Sequence, residues 1–248
     1  MSLNLEGKKF LVTGAGRGIG RGIAEKLYQL GATVHAVSKT QSNLDQLKTK
    51  CPNMKTYKVD LSNWEETRQI ISAIECVDGL VNNAAILMDC SIMEAKLDDY
   101  DLIWKTNVSS VLNISQIVAT KMIENGKCGS IVNISSNVID QVVNAGAPTL
   151  SMYASSKAAL DRLTSSMCLE WGKHNIRVNC VSPSITETDM IGDFKEQKEI
   201  CAEFIARTPL GRLLVVEDVS GPVLFMLSDL SKMISGQQLI IDGGYNCS

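Results

Sequence analysis

The sequence predicts an α/β fold with a doubly wound parallel sheet in a single domain. Two observations indicate this class: short apolar runs alternate with longer helical patterns along all 248 residues, and a glycine-rich stretch follows the first run. Apolar strands separated by helices are typical of a parallel sheet covered on both faces. No linker, repeat or low-complexity stretch divides the chain, so one domain is expected over residues 1–248.

The expected elements follow in chain order. The apolar runs predict strands at Lys8–Thr13, Thr33–Ser38, Lys55–Lys58, Asp78–Asn82, Ser130–Ser135, Arg177–Val181 and Leu239–Ile241. Helical patterns lie at Ile19–Leu30, around Leu44–Lys50 and at Tyr153–Trp171. Right-handed crossovers bring the carboxyl ends of such strands to one edge of the sheet, where ligands bind.

Composition excludes several classes of partner. The net charge of -3 gives no reason to expect a nucleic-acid partner. Eight cysteines without a Cys-x-x-Cys pair, and only two histidines, predict reduced thiols and no metal site. The N-terminus has no apolar signal core and no run reaches membrane-spanning length, so we expect a cytoplasmic protein without a membrane span.

The glycine-rich stretch runs from Thr13 to Gly20 and contains Gly14, Gly18 and Gly20. Glycines permit a sharp turn and close approach of a pyrophosphate, and the N-terminus of the next helix supplies free N–H donors. An alternative is a connector that only permits close packing of strand and helix. Its place between the expected strand and helix favours dinucleotide binding, and with it a Rossmann-type fold.

The residues at the end of the second strand indicate whether the protein binds NAD or NADP(H). Enzymes that use NAD usually carry a carboxylate there, yet this chain has Ser38, Lys39 and Thr40. Lys39 and Arg17 would attract a 2′-phosphate and the hydroxyls would add donors, which predicts NADPH/NADP+. In the alternative interpretation, Lys39 and Arg17 are solvated surface charges that bind no phosphate.

Two further strand ends suit the same cofactor. Asp60 and Leu61 follow the third strand, where the carboxylate can accept from the adenine amino group. Asn83 and Ala84 follow the fourth, where small residues permit contact with the main chain. The alternative interpretation is that both segments are strand-end turns, because Asn and Asp favour turns.

A candidate catalytic pair lies at the start of the long helix. Tyr153 and Lys157 are spaced i, i+4 and share one face. A nearby ammonium lowers the pKa of a phenol, by roughly 1–3 units when the pair is partly buried, and equips it to protonate a carbonyl oxygen. Ser135 and Ser136 end the fifth strand, where a hydroxyl can bind that oxygen, or else complete a turn. Asn107 either orients a water near Lys157 or bonds its own backbone.

Together these residues resemble the short-chain dehydrogenase/reductase family. The matching stretches are Thr13–Gly20, Asp60–Leu61, Asn82–Ala85, Asn107, Asn133–Ser136, Tyr153 with Lys157, Asn179–Pro183 and Asp242–Gly244. The resemblance implies an enzyme whose catalytic residues are Asn107, Ser136, Tyr153 and Lys157. It also implies that Tyr153, Lys157, Ile19, Pro183, Thr186 and Thr188 contact the cofactor.

Within the family, five segments are most similar to reductases of small ketoses and α-dicarbonyls: Leu11–Gly22, Ala36–Leu47, Asn82–Ala85, Val111–Ala119 and the ending at Tyr245. This similarity implies NADPH, a small-molecule carbonyl substrate, reduction of L-xylulose to xylitol and of diacetyl, and a homotetramer. Two alternatives stay open: a reductase for another carbonyl, such as a ketosteroid or 3-oxoacyl thioester, and a non-catalytic NADP(H)-binding regulator.

Two departures from the family pattern concern the substrate side. Ser136 and Tyr153 are separated by more residues than usual, which predicts a longer loop over Asn137–Met152. Ser184 stands where the family normally has glycine. The polar segment Thr186–Thr208 is expected to close over the pocket, with Leu150, Met190 and Ile191 as candidate lining residues or core residues.

Overall fold

The strands of the computed structural model, which describes residues 3–88, 91–140, 150–188 and 198–247, form one parallel sheet. They are β1 (Lys9–Thr13), β2 (Thr33–Ser38), β3 (Lys55–Lys58), β4 (Gly79–Asn82), β5 (Gly129–Ile134), β6 (Ile176–Pro183) and β7 (Gln238–Ile241). Their order across the sheet is β3-β2-β1-β4-β5-β6-β7. The order reverses between β1 and β4, and such a switch point opens a crevice at the carboxyl ends of the strands.

Helices connect the strands and cover both faces of the sheet. They are α1 (Gly18–Gln29), α2 (Gln41–Lys50), α3 (Trp64–Ser72), α4 (Leu97–Trp104), α5 (Ser110–Glu124), α6 (Ser151–Trp171), α7 (Lys198–Arg207) and α8 (Val216–Leu227). A π-helical turn over Lys105–Ser109 joins α4 to α5. In the described ranges, no helix has both the length and the apolar character needed to cross a membrane.

The core consists of two apolar layers, one on each face of the sheet. Phe10 and Val12 of β1 belong to a layer built from α1, α2 and α8, while Leu11 between them belongs to a layer from α3, α5 and α6. Successive side chains of a strand point to opposite faces, so a strand that is apolar throughout must be covered twice. The predicted doubly wound parallel sheet is therefore confirmed.

The predicted strands all exist, and their bounds shift by two residues at most. One expectation was wrong: β3 is not apolar throughout. Its two lysines are exposed and the residues between them are half-buried, because β3 is the edge strand and pairs only with β2.

Candidate active site

The turn between β1 and α1 is shaped by glycines in left-handed conformations. Gly14 has a φ of +63° and Gly18 a φ of +54°, both in the region that side chains disfavour. A Cβ atom at Gly14 would lie 2.8 Å from the Asn83 amide nitrogen. The turn therefore presents bare main chain, and the N-terminus of α1 directly follows it.

The hydroxyl of Thr13 ties this turn to the end of β4. Thr13 Oγ1 accepts hydrogen bonds from the main-chain N–H groups of Asn83 at 3.0 Å and Ala84 at 3.1 Å. The Asn83 amide returns a bond to the Thr13 carbonyl at 3.1 Å. These contacts join the two strands that flank the switch point. Sequence reasoning did not single out Thr13, although it begins the glycine motif.

A cleft of about 380 Å³ opens above this junction. It collects twelve of the predicted cofactor-binding residues: Gly14, Arg17, Gly18, Ile19, Ser38, Lys39, Thr40, Asp60, Leu61, Asn83, Ala84 and Thr188. Asn43 also lines it and was missed; its position three residues after Thr40, in the first turn of α2, was the available signal.

Gly20 does not line the cleft. It is buried, and a Cβ atom there would collide with the Gly14 carbonyl and the Asn83 amide. Gly20 therefore permits α1 to pack closely beneath the turn, and its contact with a cofactor stays a prediction.

A cation and a carboxylate are paired at the β2 end of the cleft. Lys39 Nζ is 2.7 Å from Asp60 Oδ2, and the other oxygen of Asp60 accepts from the Ser62 hydroxyl at 2.8 Å. Burial acts to raise the pKa of Asp60, but the hydrogen bonds from Lys39 and Ser62 outweigh it and hold that pKa below its ordinary value. The cation expected to meet a phosphate is thus already paired with the residue expected to meet adenine.

A second pocket of about 140 Å³ adjoins the cleft, with which it shares Ile19, Asn83, Ala85 and Thr188. It contains the remaining predicted site residues except Gly20 and Asn107, namely Ser136, Tyr153, Lys157, Pro183 and Thr186. Leu150 and Ser184 also line this pocket. The two volumes therefore form a continuous site at the carboxyl ends of the strands.

Tyr153 and Lys157 are buried in the first turns of α6. Lys157 Nζ donates to the carbonyl of Ile134, the last residue of β5, at 2.7 Å. The same ammonium lies 5.6 Å from the centroid of the Tyr153 ring. The Tyr153 hydroxyl is hydrogen-bonded to Ser136. The serine, tyrosine and lysine predicted to act together are therefore in contact.

The expected effect of Lys157 on the tyrosine was wrong for the protein without cofactor. Burial raises the pKa of Tyr153 to about 12, and only the Ser136 hydrogen bond acts against it. Lys157 faces the ring and is itself buried, which lowers its own pKa to about 8. Low-dielectric surroundings penalise the charged form of either group. Tyr153 therefore keeps its proton at neutral pH.

Asn107 is buried in the π-helical turn, behind the cleft wall. Its amide oxygen accepts from Ile86 N at 2.9 Å, and its amide nitrogen donates to Ile86 O at 3.0 Å and Ser156 Oγ at 3.1 Å. The side chain predicted to orient a water is thus occupied with protein partners. It fixes the segment after β4 beside Ser156, the neighbour of Lys157.

Part of the predicted substrate side lies outside the described residues. This holds for residues 141–149 of the longer loop and residues 189–197 of the segment Thr186–Thr208, including Met190 and Ile191. The described end of that segment is α7.

Comparison with known proteins identifies the class. A family model described as Enoyl-(Acyl carrier protein) reductase matches residues 14–246. With the fold and the Ser136–Tyr153–Lys157 group, this shows that the chain belongs to the short-chain dehydrogenase/reductase family. L-xylulose reductase of Bos taurus is 43% identical over 99% of both chains, and Carbonyl reductase [NADPH] 2 of Sus scrofa is 40% identical over 100% of both. The resemblance to L-xylulose reductase is thereby confirmed.

A solved structure shares the whole architecture. It is a gluconate 5-dehydrogenase from Burkholderia cenocepacia J2315 in complex with NADP and tartrate, with a TM-score of 0.91 and 29% identity. The match covers 99% of this chain and 98% of the other.

Proposed function

We propose that this protein is an NADPH-dependent carbonyl reductase that reduces small ketoses and α-dicarbonyls. Its substrates are L-xylulose, which it reduces to xylitol, and diacetyl. One observation carries the proposal. A protonated, buried Tyr153 hydroxyl, hydrogen-bonded to Ser136, lines a small pocket that opens into a long cleft. That arrangement suits proton donation to a carbonyl oxygen beside a dinucleotide.

The described residues fit NADP(H). Gly14 and Gly18 leave the main chain bare where a pyrophosphate would bind, at the N-terminus of α1. Lys39 and Arg17 both line the cleft, and their cations suit a 2′-phosphate. Similarity to a carbonyl reductase named for NADPH and to a structure with NADP supports the same choice. When bound, the reduced nicotinamide supplies the hydride to the carbonyl carbon.

The chain's own residues supply the proton and the orientation. In this proposal Ser136 donates a hydrogen bond to the substrate carbonyl oxygen and stabilises its developing negative charge. Tyr153 is protonated at neutral pH and transfers its hydroxyl proton to the same oxygen. Lys157 holds a positive charge beneath the ring, where it stabilises the phenolate that remains. Asn107 positions the helix turn that carries Ser156 and Lys157.

The pocket favours a small substrate. Its described part measures about 140 Å³ and its walls include Leu150, Val138 and Ile185 beside the polar group. A small carbonyl compound fits this volume better than a steroid or a long acyl thioester. The names of the relatives, L-xylulose reductase and Carbonyl reductase [NADPH] 2, support the same substrate class.

A substrate panel with NADPH tests the proposal. We expect oxidation of NADPH with L-xylulose and diacetyl, and little with a 3-oxoacyl thioester or a ketosteroid. Tyr153→Phe is expected to lower kcat by roughly 10²–10⁴-fold while cofactor binding persists. Binding of NADPH without turnover of any carbonyl, and no effect of Tyr153→Phe, would instead establish a non-catalytic binding protein.

We also propose a homotetramer in the cytoplasm. Large apolar side chains are exposed around α4, where Met93 is 93% and Leu97 73% accessible, and self-association would cover them. The thiols of Cys51, Cys76, Cys128, Cys168, Cys180 and Cys247 form no disulfide bond, which fits a reducing compartment. Light scattering and cell fractionation test these two statements; a monomeric mass or a membrane-bound fraction would contradict them.

A further inference from the structure

Ser184 is a residue of the substrate pocket to which the mechanism proposed above assigns no role. It lines the pocket together with Ser136 and Tyr153, and it stands where the family normally has glycine. A glycine offers no side chain, so the hydroxyl at this position belongs to this chain rather than to the family pattern. Its surroundings therefore bear on which carbonyl compounds the pocket accepts.

The strand register brings Ser184 close to Ser136. β5 and β6 are parallel neighbours, and their ladder pairs Ile134 with Val181. Two residues further along both chains, Pro183 lies opposite Ser136, and Ser184 is the next residue. Neighbouring strands are about 4.8 Å apart. Ser184 therefore stands beside Ser136 at the carboxyl edge of the sheet, where the pocket opens.

The main chain of Ser184 is already bonded on both sides. Its N–H donates to the Ile241 carbonyl of β7 at 2.8 Å, and its carbonyl accepts from the Thr186 hydroxyl at 3.0 Å. The side chain is half-buried, and its hydroxyl has no hydrogen-bond partner among the described residues. The hydroxyl is thus the polar group that Ser184 can offer to a ligand, and the main-chain bonds hold it in place.

Most other polar side chains of the pocket are committed elsewhere. The Asn83 amide and the hydroxyls of Ser135 and Thr186 donate to main-chain carbonyls, and so does the Lys157 ammonium. Thr188 lies where the pocket meets the long cleft, on the side of the proposed cofactor. These groups therefore leave few partners for a second polar group on the substrate.

Asn137 is the remaining polar residue of the pocket wall. It follows Ser136, whose backbone is extended, with a φ of -161° and a ψ of 150°. Successive side chains on extended backbone start in opposite directions, so the Asn137 side chain starts away from the Ser136 hydroxyl. Ser184 belongs to the neighbouring chain segment and is not subject to this alternation. It is therefore better placed to bind a group beside the reacting carbonyl.

We propose that Ser184 is a specificity-determining residue: its hydroxyl binds the oxygen on the carbon next to the reacting carbonyl. The pocket then selects α-hydroxyketones and α-dicarbonyls. A serine hydroxyl both donates and accepts, so it serves the hydroxyl of a ketose as well as the second carbonyl of a diketone. A simple ketone leaves this half-buried hydroxyl unpaired, which disfavours its binding. The inference rests on the proposed function, because it concerns selection at the same site.

Two matched substrates test this role. Diacetyl and butan-2-one differ by the second oxygen, and the ratio of their kcat/KM values with NADPH measures the preference for it. We expect Ser184→Ala to lower this ratio roughly three- to tenfold, which is the worth of one neutral hydrogen bond. The intrinsic reactivities of the two compounds cancel when variant and wild type are compared. Butanal, a more reactive carbonyl without a second oxygen, replaces butan-2-one if turnover of the latter is too slow to measure.

Two further variants separate the hydroxyl from a general disturbance of the pocket. Ser184→Thr keeps a hydroxyl and is expected to retain the wild-type ratio. Ser184→Gly removes the hydroxyl and is the second neutral variant should alanine fail to fold in a thermal unfolding assay. A merely structural role would lower kcat/KM for both substrates alike and leave the ratio in place. The Kd of NADPH, measured by fluorescence, is expected to be unchanged in all three variants.

An unchanged ratio in Ser184→Ala and Ser184→Gly would overturn the inference. A ratio that falls in Asn137→Ala and not in Ser184→Ala would overturn it as well, because the second oxygen then binds the asparagine. A raised Kd of NADPH with an unchanged ratio would assign the hydroxyl to the cofactor and have the same consequence. Failure of wild-type protein to reduce diacetyl would instead overturn the proposed function, so the two failures are distinguishable.

Discussion

Replacement of Thr13 by valine tests how the cleft is held together. Valine has nearly the shape of threonine but no hydroxyl, so the N–H groups of Asn83 and Ala84 lose their shared acceptor. A buried donor left unpaired costs about 1–3 kcal/mol. Both residues are only partly buried, which favours the lower end of that range. We therefore expect the free energy of unfolding to fall by about 2–3 kcal/mol.

The measurement is equilibrium unfolding in urea at neutral pH, with linear extrapolation to water. Thr13→Ser is the matched control, because it keeps the hydroxyl and removes one buried methyl group, at a cost of about 1 kcal/mol. The expected order of stability is wild type, then Thr13→Ser, then Thr13→Val. A valine variant as stable as the serine variant would refute the reasoning that the hydroxyl joins β1 to β4.

Three further perturbations have defined outcomes. Burial and, secondarily, Lys55 lower the pKa of His35 from 6.5 to about 4. Below pH 6.5 the unfolded chain therefore binds a proton that the folded protein does not. As a result, the free energy of unfolding falls by about 2.5 kcal/mol as the pH is lowered from about 7.5 to about 4.5. Denaturant titrations should show this fall flattened in His35→Leu; parallel profiles would contradict it. Gly14→Ala places a methyl against Asn83 and should raise the Kd of NADPH measured by fluorescence, whereas Gly126→Ala carries the same left-handed strain in open space and should not. Lys39→Asp should weaken NADPH binding and relatively favour NADH; an unchanged ratio of the two Kd values would count against the phosphate assignment.

The strands were predictable because each is a short run bounded by turns, and the central ones are buried on two faces. Thr33–Ser38 and Lys55–Lys58 agree with β2 and β3 residue for residue. Helix starts were less predictable, since Arg17, Lys96 and Leu150 precede helices without a capping side chain, which removes the usual signal.

The site was predictable as far as its residues stand at the carboxyl ends of parallel strands. Ser38, Asn83 and Ser136 meet there because the topology aligns those ends. What the sequence did not predict depends on which atoms face each other across distant segments. The Thr13 hydroxyl joins residues 70 positions apart, and the pKa of Tyr153 follows from burial rather than from its spacing to Lys157.

The contact between Lys39 and Asp60 makes cofactor capture an exchange of anions. In the proposed cofactor site, the 2′-phosphate of NADPH displaces the Asp60 carboxylate from the Lys39 ammonium when it binds. NADH offers no competing anion, so Asp60 retains its hold on Lys39. When the oxidised dinucleotide leaves the proposed site, the Asp60 carboxylate pairs with Lys39 again.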